Sequence, residues 1–564
     1  MRDERYKWIA LSNTTLGVLM ATLDASIVII SLPAIFRGIG LDPLAPGNIS
    51  YLLWMILGYL LVQAVLVVAL GRLGDMFGRV RLYNLGFAIF SLASLALSVD
   101  PFTRSSGALW LIGWRLVQAF GGAMLTANSA AILTDAFPAS QRGMALGVNQ
   151  VTALAGQFLG LVAGGLLAAI DWRAVFWVSV PFGVFGTIWS YRSLREAGSP
   201  KKARIDWAGN LTFVVGTAGI LTAITYGIQP YGGDSTGWSN PWVLGGLTAG
   251  ILMLVLFCFV EMKVAEPMFD LKLLRIRSFM AGNLATLLTA ISRGGLQFML
   301  IIWLQGIWLP LHGYEYKDTP LWAGIYMLPL TVGFLIAGPV SGYLSDRYGS
   351  RAFATGGLGI TAMSFVGLML LPVDFAYPLF ALLLLACGIG MGMFSAPNTS
   401  SIMSSVPPSQ RGVASGMRAT FQNSGSALSI GVFFSLMIAG LSGTLPTTLA
   451  SGLESHGVPA SAAAHVADLP PVSTLFAAFL GDNPIGHLLS STGVLGTLSA
   501  HDVSVLTGKR FFPELISAPF HHGLVAVFIS AAVMAIIAAM ASALRGGRYT
   551  HTEEAPVEQK EAKI

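Results

Sequence analysis

Long apolar runs alternate with short polar connectors from residue 8 to residue 544. The first run extends from Trp8 to about Phe36. Others follow at about 50–70, 82–99, 107–134, 143–169, 172–193, 207–229, 241–262, 279–305, 320–343, 353–372, 376–403, 412–441 and 519–544. Roughly 20 apolar residues cross the hydrocarbon core as a helix. Within it, helices satisfy every backbone N–H and C=O locally. The pattern predicts an all-α polytopic membrane protein with fourteen transmembrane helices. The first run is too long for a signal peptide and reads as a retained helix.

An even number of spans places both ends of the chain on one side. Assigning connectors alternately puts 23 arginines and lysines on the N-terminal side, 6 on the other and 3 within runs. By the positive-inside rule both termini are then cytoplasmic, in a cytoplasmic membrane. Composition agrees, with 54% hydrophobic residues, 10% charged and a mean hydropathy of +0.70. The net charge of +5 is spread over short turns and forms no patch suited to nucleic acid. Cys258 and Cys387 both lie in apolar runs, which excludes a disulfide framework.

Two signatures repeat. GRLGDMFGRVR, Gly71 to Arg81, sits between the second and third runs, and GYLSDRYGSR begins 271 residues later at Gly342. PASQRGMALG at Pro138 and PPSQRGVASG at Pro407 are 269 residues apart. Two unrelated signatures at nearly one offset indicate an internal duplication, a common way to build a transporter. In the first loop Gly71, Gly74 and Gly78 are expected to make a tight turn. Arg72, Arg79 and Arg81 hold it at the cytoplasmic face, and Asp75 can pair with one of them. Asp346 is its counterpart in the second half. The expected organisation is a six-helix bundle over 1–195, two linking helices with cytoplasmic linkers over 196–278, a second bundle over 279–544, and a tail over 545–564. The linker 261–278 reads as an amphipathic surface segment or a plain loop. The loop 441–519 is the only long one and faces outward; PVSTLFAAFLG and NPIGHLLSSTGVLG within it form either surface helices or a re-entrant hairpin.

The first loop resembles the signature between helices two and three of the major facilitator superfamily. LDASIVIISLP (Leu23 to Pro33), WRLVQAFGGA (Trp114 to Ala123) and DWRAVFWVSVPFG (Asp171 to Gly183) are similar to motifs of its fourteen-helix drug/proton antiporter branch. The resemblance covers nearly the whole chain apart from the last long loop. It implies two pseudo-symmetric six-helix bundles plus two linking helices, multidrug efflux in exchange for protons, and a loop that latches one of two conformations. Two departures stand out: Leu161 replaces a proline of the fifth-helix motif, and Ala119 a glycine of the fourth.

No nucleotide-binding, metal or hydrolase motif occurs, so the chain is expected to be no enzyme, to need no cofactor, and to use an ion gradient if it moves a solute uphill. Asp24 is the only one of 27 acids deep within a run. A buried acid is costly unless it pairs, protonates or faces water, so Asp24 is a proton carrier, a helix cap or half of a fixed ion pair. Helical rise puts Asp24 roughly 13 Å and Arg115 roughly 10 Å below the outer ends of their helices, depths that permit pairing. Gln118, Gly122 and Ser129 continue the face of Arg115, as a cavity wall or an interhelix seam. Arg293 and Arg418 are the other charges within runs. Trp54, Tyr59, Arg293, Gln297, Trp303, Tyr326 and Phe421 are candidate walls of an amphiphile site. The expected function is proton-coupled export of amphipathic small molecules or drugs, with a role in antibiotic resistance. Export of lipids or envelope precursors, and a non-transporting sensor or assembly role, are the alternatives. With Asp24 and Arg115 neutralising each other, Arg293 leaves the cavity positive, which disfavours dications.

Overall fold

A computed structural model describes the chain except residues 1, 43–46, 139–140, 197–205, 265–266, 268, 408–409, 482 and 546–564, and except the side chains of 2, 3, 142, 143, 346, 411, 412 and 491. Secondary structure among the described residues is helical, apart from one isolated bridge between Tyr231 and Asp234. Spans 1 to 7 are Glu4–Ile39, Asn48–Phe77, Arg79–Ser98, Arg104–Ala136, Met144–Ile170, Ala174–Ser193 and Trp207–Gly227. Spans 8 to 14 are Pro241–Lys263, Arg277–Leu311, Thr319–Ser345, Ser350–Met369, Tyr377–Ser404, Val413–Ser442 and Phe511–Ala543. Both ends of this array lie on one side, called here the near side.

The packing repeats with a displacement of eight spans. Span 1 packs on spans 4 and 5, and span 4 on spans 2 and 3; span 9 packs on spans 12 and 13, and span 12 on spans 10 and 11. Two glycine crossings show why. A Cβ on Gly86 would lie 3.0 Å from the Gly121 carbonyl oxygen, and one on Gly121 would lie 2.9 Å from that of Gly86. The pair Gly357 and Gly390 repeats this at 2.5 Å in each direction. Without a hydrophobic force between helices in lipid, close approach of bare backbones supplies the contact energy. Spans 7 and 8 pack on each other, and span 7 also touches spans 2 and 13 across the lateral seam between the two sets.

The near-side turns differ from the sequence expectation. Span 2 runs through Phe77 and span 3 begins at Arg79, so Gly78 alone turns the chain, at φ 109°. Gly71 and Gly74 are inside the helix, where they admit Ala127 and Asn128 of span 4. Gly349, at φ 95°, does the same job between spans 10 and 11. Among the described residues of the linker after span 8, Leu271–Arg275 is a short 3₁₀ helix with Lys272 and Arg275 exposed, and Phe269 and Leu273 are buried against Phe213, Phe257 and Ile402.

The described residues of the long loop are largely helical. They form the helices Leu445–Glu454, Ala460–Ala467, Pro471–Leu480, Pro484–Ser491 and Ala500–Leu506. The second and third of these are bent 85° to each other, and every residue of Pro471–Leu480 is buried. Its apolar faces meet Phe298 and Phe434 through Phe479 and Phe476, and it also touches span 1. Span 9 accommodates it with one π-helical segment, Trp303–Trp308, whose Gly306 lies against Ala478.

Gly121→Leu is expected to lower the unfolding free energy in detergent by about 1–3 kcal/mol through overpacking. Gly113, whose Cβ would meet nothing within 4 Å, is the control: Gly113→Leu should stay within about 0.5 kcal/mol of the parent. Fluorescence-detected thermal unfolding makes the comparison, and equal effects would dismiss the glycine crossing as the contact that matters.

Candidate functional site: a buried charge network and the seam between two halves

Span 1 presents Asp24 toward span 4, where Arg115 and Gln118 stand one turn apart. Arg115 Nη1 donates to Asp24 Oδ2 and, at 2.7 Å, to Gln118 Oε1. Gln118 Nε2 donates to Asp24 Oδ1 at 2.9 Å and to Ser94 Oγ of span 3, also at 2.9 Å. The Arg115 guanidinium lies 4.3 Å from the centre of the Tyr59 ring, a cation–π contact. Tyr59 in turn donates to the Ala21 carbonyl at 3.1 Å. Asp24 and Gln118 are 0% exposed and Arg115 is 2% exposed. Four spans thus converge on one charge pair shut off from solvent.

Local sequence explains the convergence. Gly122, one turn past Gln118, leaves room for Tyr59 and Gln63, since a Cβ there would lie 3.0 Å and 2.6 Å from them. Gly156, Gly160 and Gly164 let span 5 ride on the backbone of span 1 around Leu19, Leu23 and Ile27. Leu161, standing in for proline, leaves span 5 one unbroken helix. Ser129 continues the polar face by accepting from Asn149 at 2.7 Å. The polar stripe of span 4 therefore faces the interior of spans 1 to 5.

The two halves meet on the far side. A Cβ on Gly324 of span 10 would lie 2.9 Å from the Leu161 carbonyl oxygen, and Gly165 abuts Leu321. Gln157 donates to Gln297 at 3.2 Å across the seam, and Gln305 to the Ile30 carbonyl at 3.3 Å. Gly147 shares the helical face of Gly165, eighteen residues and five turns on. Gly165 packs on span 10, yet Gly147 is exposed, a Cβ on it would meet nothing within 4 Å, and Met144 near it is 45% exposed. The seam is closed at the far side and opens toward the near side.

Several residues expected to line a substrate cavity have other surroundings. Tyr59 is buried beneath Arg115. Trp303 is fully buried among Phe375, Phe380 and Phe528, with Nε1 donating to Val373. Tyr326 shares a hydrogen bond of 2.7 Å with Tyr314 and packs on Tyr377 and Trp308. Trp54 faces a lateral crevice against span 7 and span 13. Phe421 is half-buried on the face of Leu428, which packs toward spans 2 and 7. Arg418 is buried, donates to Gln422 at 3.0 Å, and shares the face of Gly425 and Ser429 that packs on span 9. Gln297 and Arg293, one turn apart on span 9, are the two that face the other half.

At the near-side junction Arg79 holds Asp75 and Asp135, each at 2.6 Å. Glu196 accepts from the backbone N–H of Arg79 at 2.7 Å, at the start of span 3. Arg81 is exposed. Gly342 lies against Ala396 as Gly71 does against Ala127, and the side chain of Asp346 lies outside the described residues. Sequence reasoning missed Ser94, Gln63 and Gln157, single polar residues without a motif. It also missed Asn398, which donates to Thr286 at 2.8 Å and accepts from the buried Arg545. Burial pushes the Arg545 guanidinium down to about 10, so it stays charged at neutral pH.

The fold and the network are those of a membrane transporter. The sequence profile of the Major Facilitator Superfamily matches residues 14–430, and the chain belongs to that family. It is 30% identical to the riboflavin transporter RibZ of Clostridioides difficile over 78% of this chain and 90% of that one. Identity is 31% to the methyl viologen resistance protein SmvA of Salmonella typhimurium, over 80% and 86%, and 27% to the tetracenomycin C resistance and export protein of Streptomyces glaucescens, over 98% and 94%. A bacterial homologue of the human lysosomal transporter Spinster, in an inward-facing, unoccupied conformation, matches the fold with a TM-score of 0.58 at 15% identity, covering 96% of this chain and 97% of that one.

Asp24→Asn and Arg115→Gln are each expected to cost about 3 kcal/mol of stability, because each leaves a buried group without its partner. The double variant should lose at least about 1.5 kcal/mol less than the sum. Additive losses in thermal unfolding would mean that the two side chains do not depend on each other.

Proposed function

We propose that the protein is a proton-coupled antiporter that exports amphipathic small molecules, drugs among them, across the cytoplasmic membrane, with both termini in the cytoplasm. Residues 1–195 and 279–544 are the halves that alternate access around the seam, 196–278 joins them, and 545–564 is a cytoplasmic tail. The observation that carries this reading is the fully buried Asp24–Arg115–Gln118 network. A carboxylate with no solvent access is costly to keep in a membrane protein. Proton exchange coupled to transport gives it a use.

The relatives named for resistance to methyl viologen and for tetracenomycin C export support a drug-efflux role. Another relative is named for riboflavin. Methyl viologen is a dication and riboflavin is neutral, so relatives do not settle the charge of the cargo. In this reading Asp24 carries the proton, Arg115 and Gln118 hold it in place, and the near-side loop with Asp75 and Arg79 acts as a latch between the two conformations.

Asp24→Asn protein, folded at reduced stability by gel filtration, is expected to bind substrate and lose uphill export entirely in everted vesicles. Full proton-driven export by that variant removes Asp24 from the coupling. Asp75→Ala should slow turnover several-fold while binding persists, since a charge-assisted contact of this kind contributes about 1–2 kcal/mol. Unchanged turnover would count against a latch.

A further inference from the structure

Of the two charges within the spans that the buried network leaves over, Arg418 is held by Gln422, and the other is Arg293. It stands on span 9 one turn from Gln297, on the face that looks across the seam, because residues four apart on a helix share a face. The faces turned to the neighbouring helices are otherwise occupied. Gly294 and Gly295 lie against Ser429 of span 13, and Ser292 donates to Ala531 of span 14. Gln297 is satisfied by Gln157 at the closed part of the seam. Arg293 lies one turn toward the side where the seam opens. It is half-buried, and no hydrogen bond or ion pair joins it to any other described residue.

Within the bounds given above, spans 9 to 13 contain no Asp or Glu, the helix of span 10 running on to Asp346 only at its near-side end, and span 14 contains only Glu514, in its first turn at the far side. Across the seam, Asp24 is enclosed and already bound by Arg115 and Gln118. Asp75 and Asp135 are committed to Arg79 at the near-side surface. A guanidinium presents a fork of N–H donors suited to carboxylate, sulfonate or phosphate oxygens. Between low-dielectric walls, attraction or repulsion at this point is felt far more strongly than in water.

We propose that Arg293 is the specificity-determining charge of the transport cavity, and that the cargo is an amphiphile with an anionic or zwitterionic head group, dicationic amphiphiles being rejected. This deepens the exporter reading and rests on it for the word cargo. The binding preference itself does not need proton coupling. Gln297 and Gln157 supply neutral hydrogen-bond partners above the head, and the apolar walls of spans 5, 9 and 10 receive the tail.

The test uses a matched series on one octylnaphthalene body carrying a sulfonate, a single trimethylammonium or two trimethylammonium groups. Equilibrium dialysis against the purified full-length protein in detergent gives affinities, and proteoliposomes with an imposed pH gradient give flux. The sulfonate is expected to bind at least ~10-fold tighter than the dication, a difference one well-placed charge can supply. Arg293→Ala should weaken the sulfonate ~10-fold and improve the dication, and Arg293→Lys should restore most of the sulfonate affinity. Dication binding equal to that of the sulfonate, or an order unchanged by Arg293→Ala, overturns the proposal. The expected affinity order without gradient-driven flux would uphold the charge selection and remove the antiporter reading instead.

Discussion

The structure depends on keeping one acid and one base together where neither can reach water. Removing a carboxylate and a guanidinium from water costs several kcal/mol per ion, and attraction offsets this only when geometry is good and the remaining polar atoms are satisfied. Here both Asp24 oxygens accept hydrogen bonds, Gln118 bridges the pair, and the Tyr59 ring covers the guanidinium, whose Nε makes no hydrogen bond. Those partners come from spans 1, 2, 3 and 4. The positions of four helices are therefore set by one charge pair, and the glycines of spans 3, 4 and 5 are where the backbones draw close enough to allow it.

Duplication kept the packing and let the charges diverge. The crossing of Gly86 with Gly121 has its twin in Gly357 with Gly390, and the turn at Gly78 has its twin at Gly349. At the offset of 269 that relates Gly121 to Gly390, span 12 has Leu384 where span 4 has Arg115 and Cys387, beside Gly388, where it has Gln118, so the pair is not repeated. Gly388 serves close packing against Leu330 of span 10. One half thus holds an enclosed acid–base pair while the other presents an unpaired base to the seam.

The span count and the pairing of halves were legible because apolar length and a repeated motif are one-dimensional signals. Asp24, Arg115 and Gln118 were conspicuous for the same reason, as polar residues where hydrocarbon permits few. What they touch was less legible. Tyr59, Trp303 and Tyr326 carry aromatic character that suits a ligand wall and a packed core equally, and only three-dimensional neighbours separate the two. The turn at Gly71 to Arg81 misled for a related reason: three glycines permit a turn at three places, and contact with Ala127 and Asn128 of span 4 keeps the first two helical. The buried helix Pro471–Leu480 is only ten residues long. That is too short to register as a span, and its burial depends on a π-helical segment in span 9 that no local pattern announces.

The placement of the charges constrains how a proton can be exchanged. The Asp24 network lies within the first half, so a rocking motion of rigid halves moves it without breaking it. What such a motion changes is the cover on span 1. On the far side that cover is Gln305 and the helix Pro471–Leu480, both seated on the second half. Opening there would lift them from Ile30 and expose the span-1 face leading down toward Asp24. In the near-side-open arrangement the pair is sealed and Arg293 stands beside the opening. Under the proposed exchange, the proton and the cargo meet different halves of one duplicated scaffold, and they communicate through the seam that both halves must close.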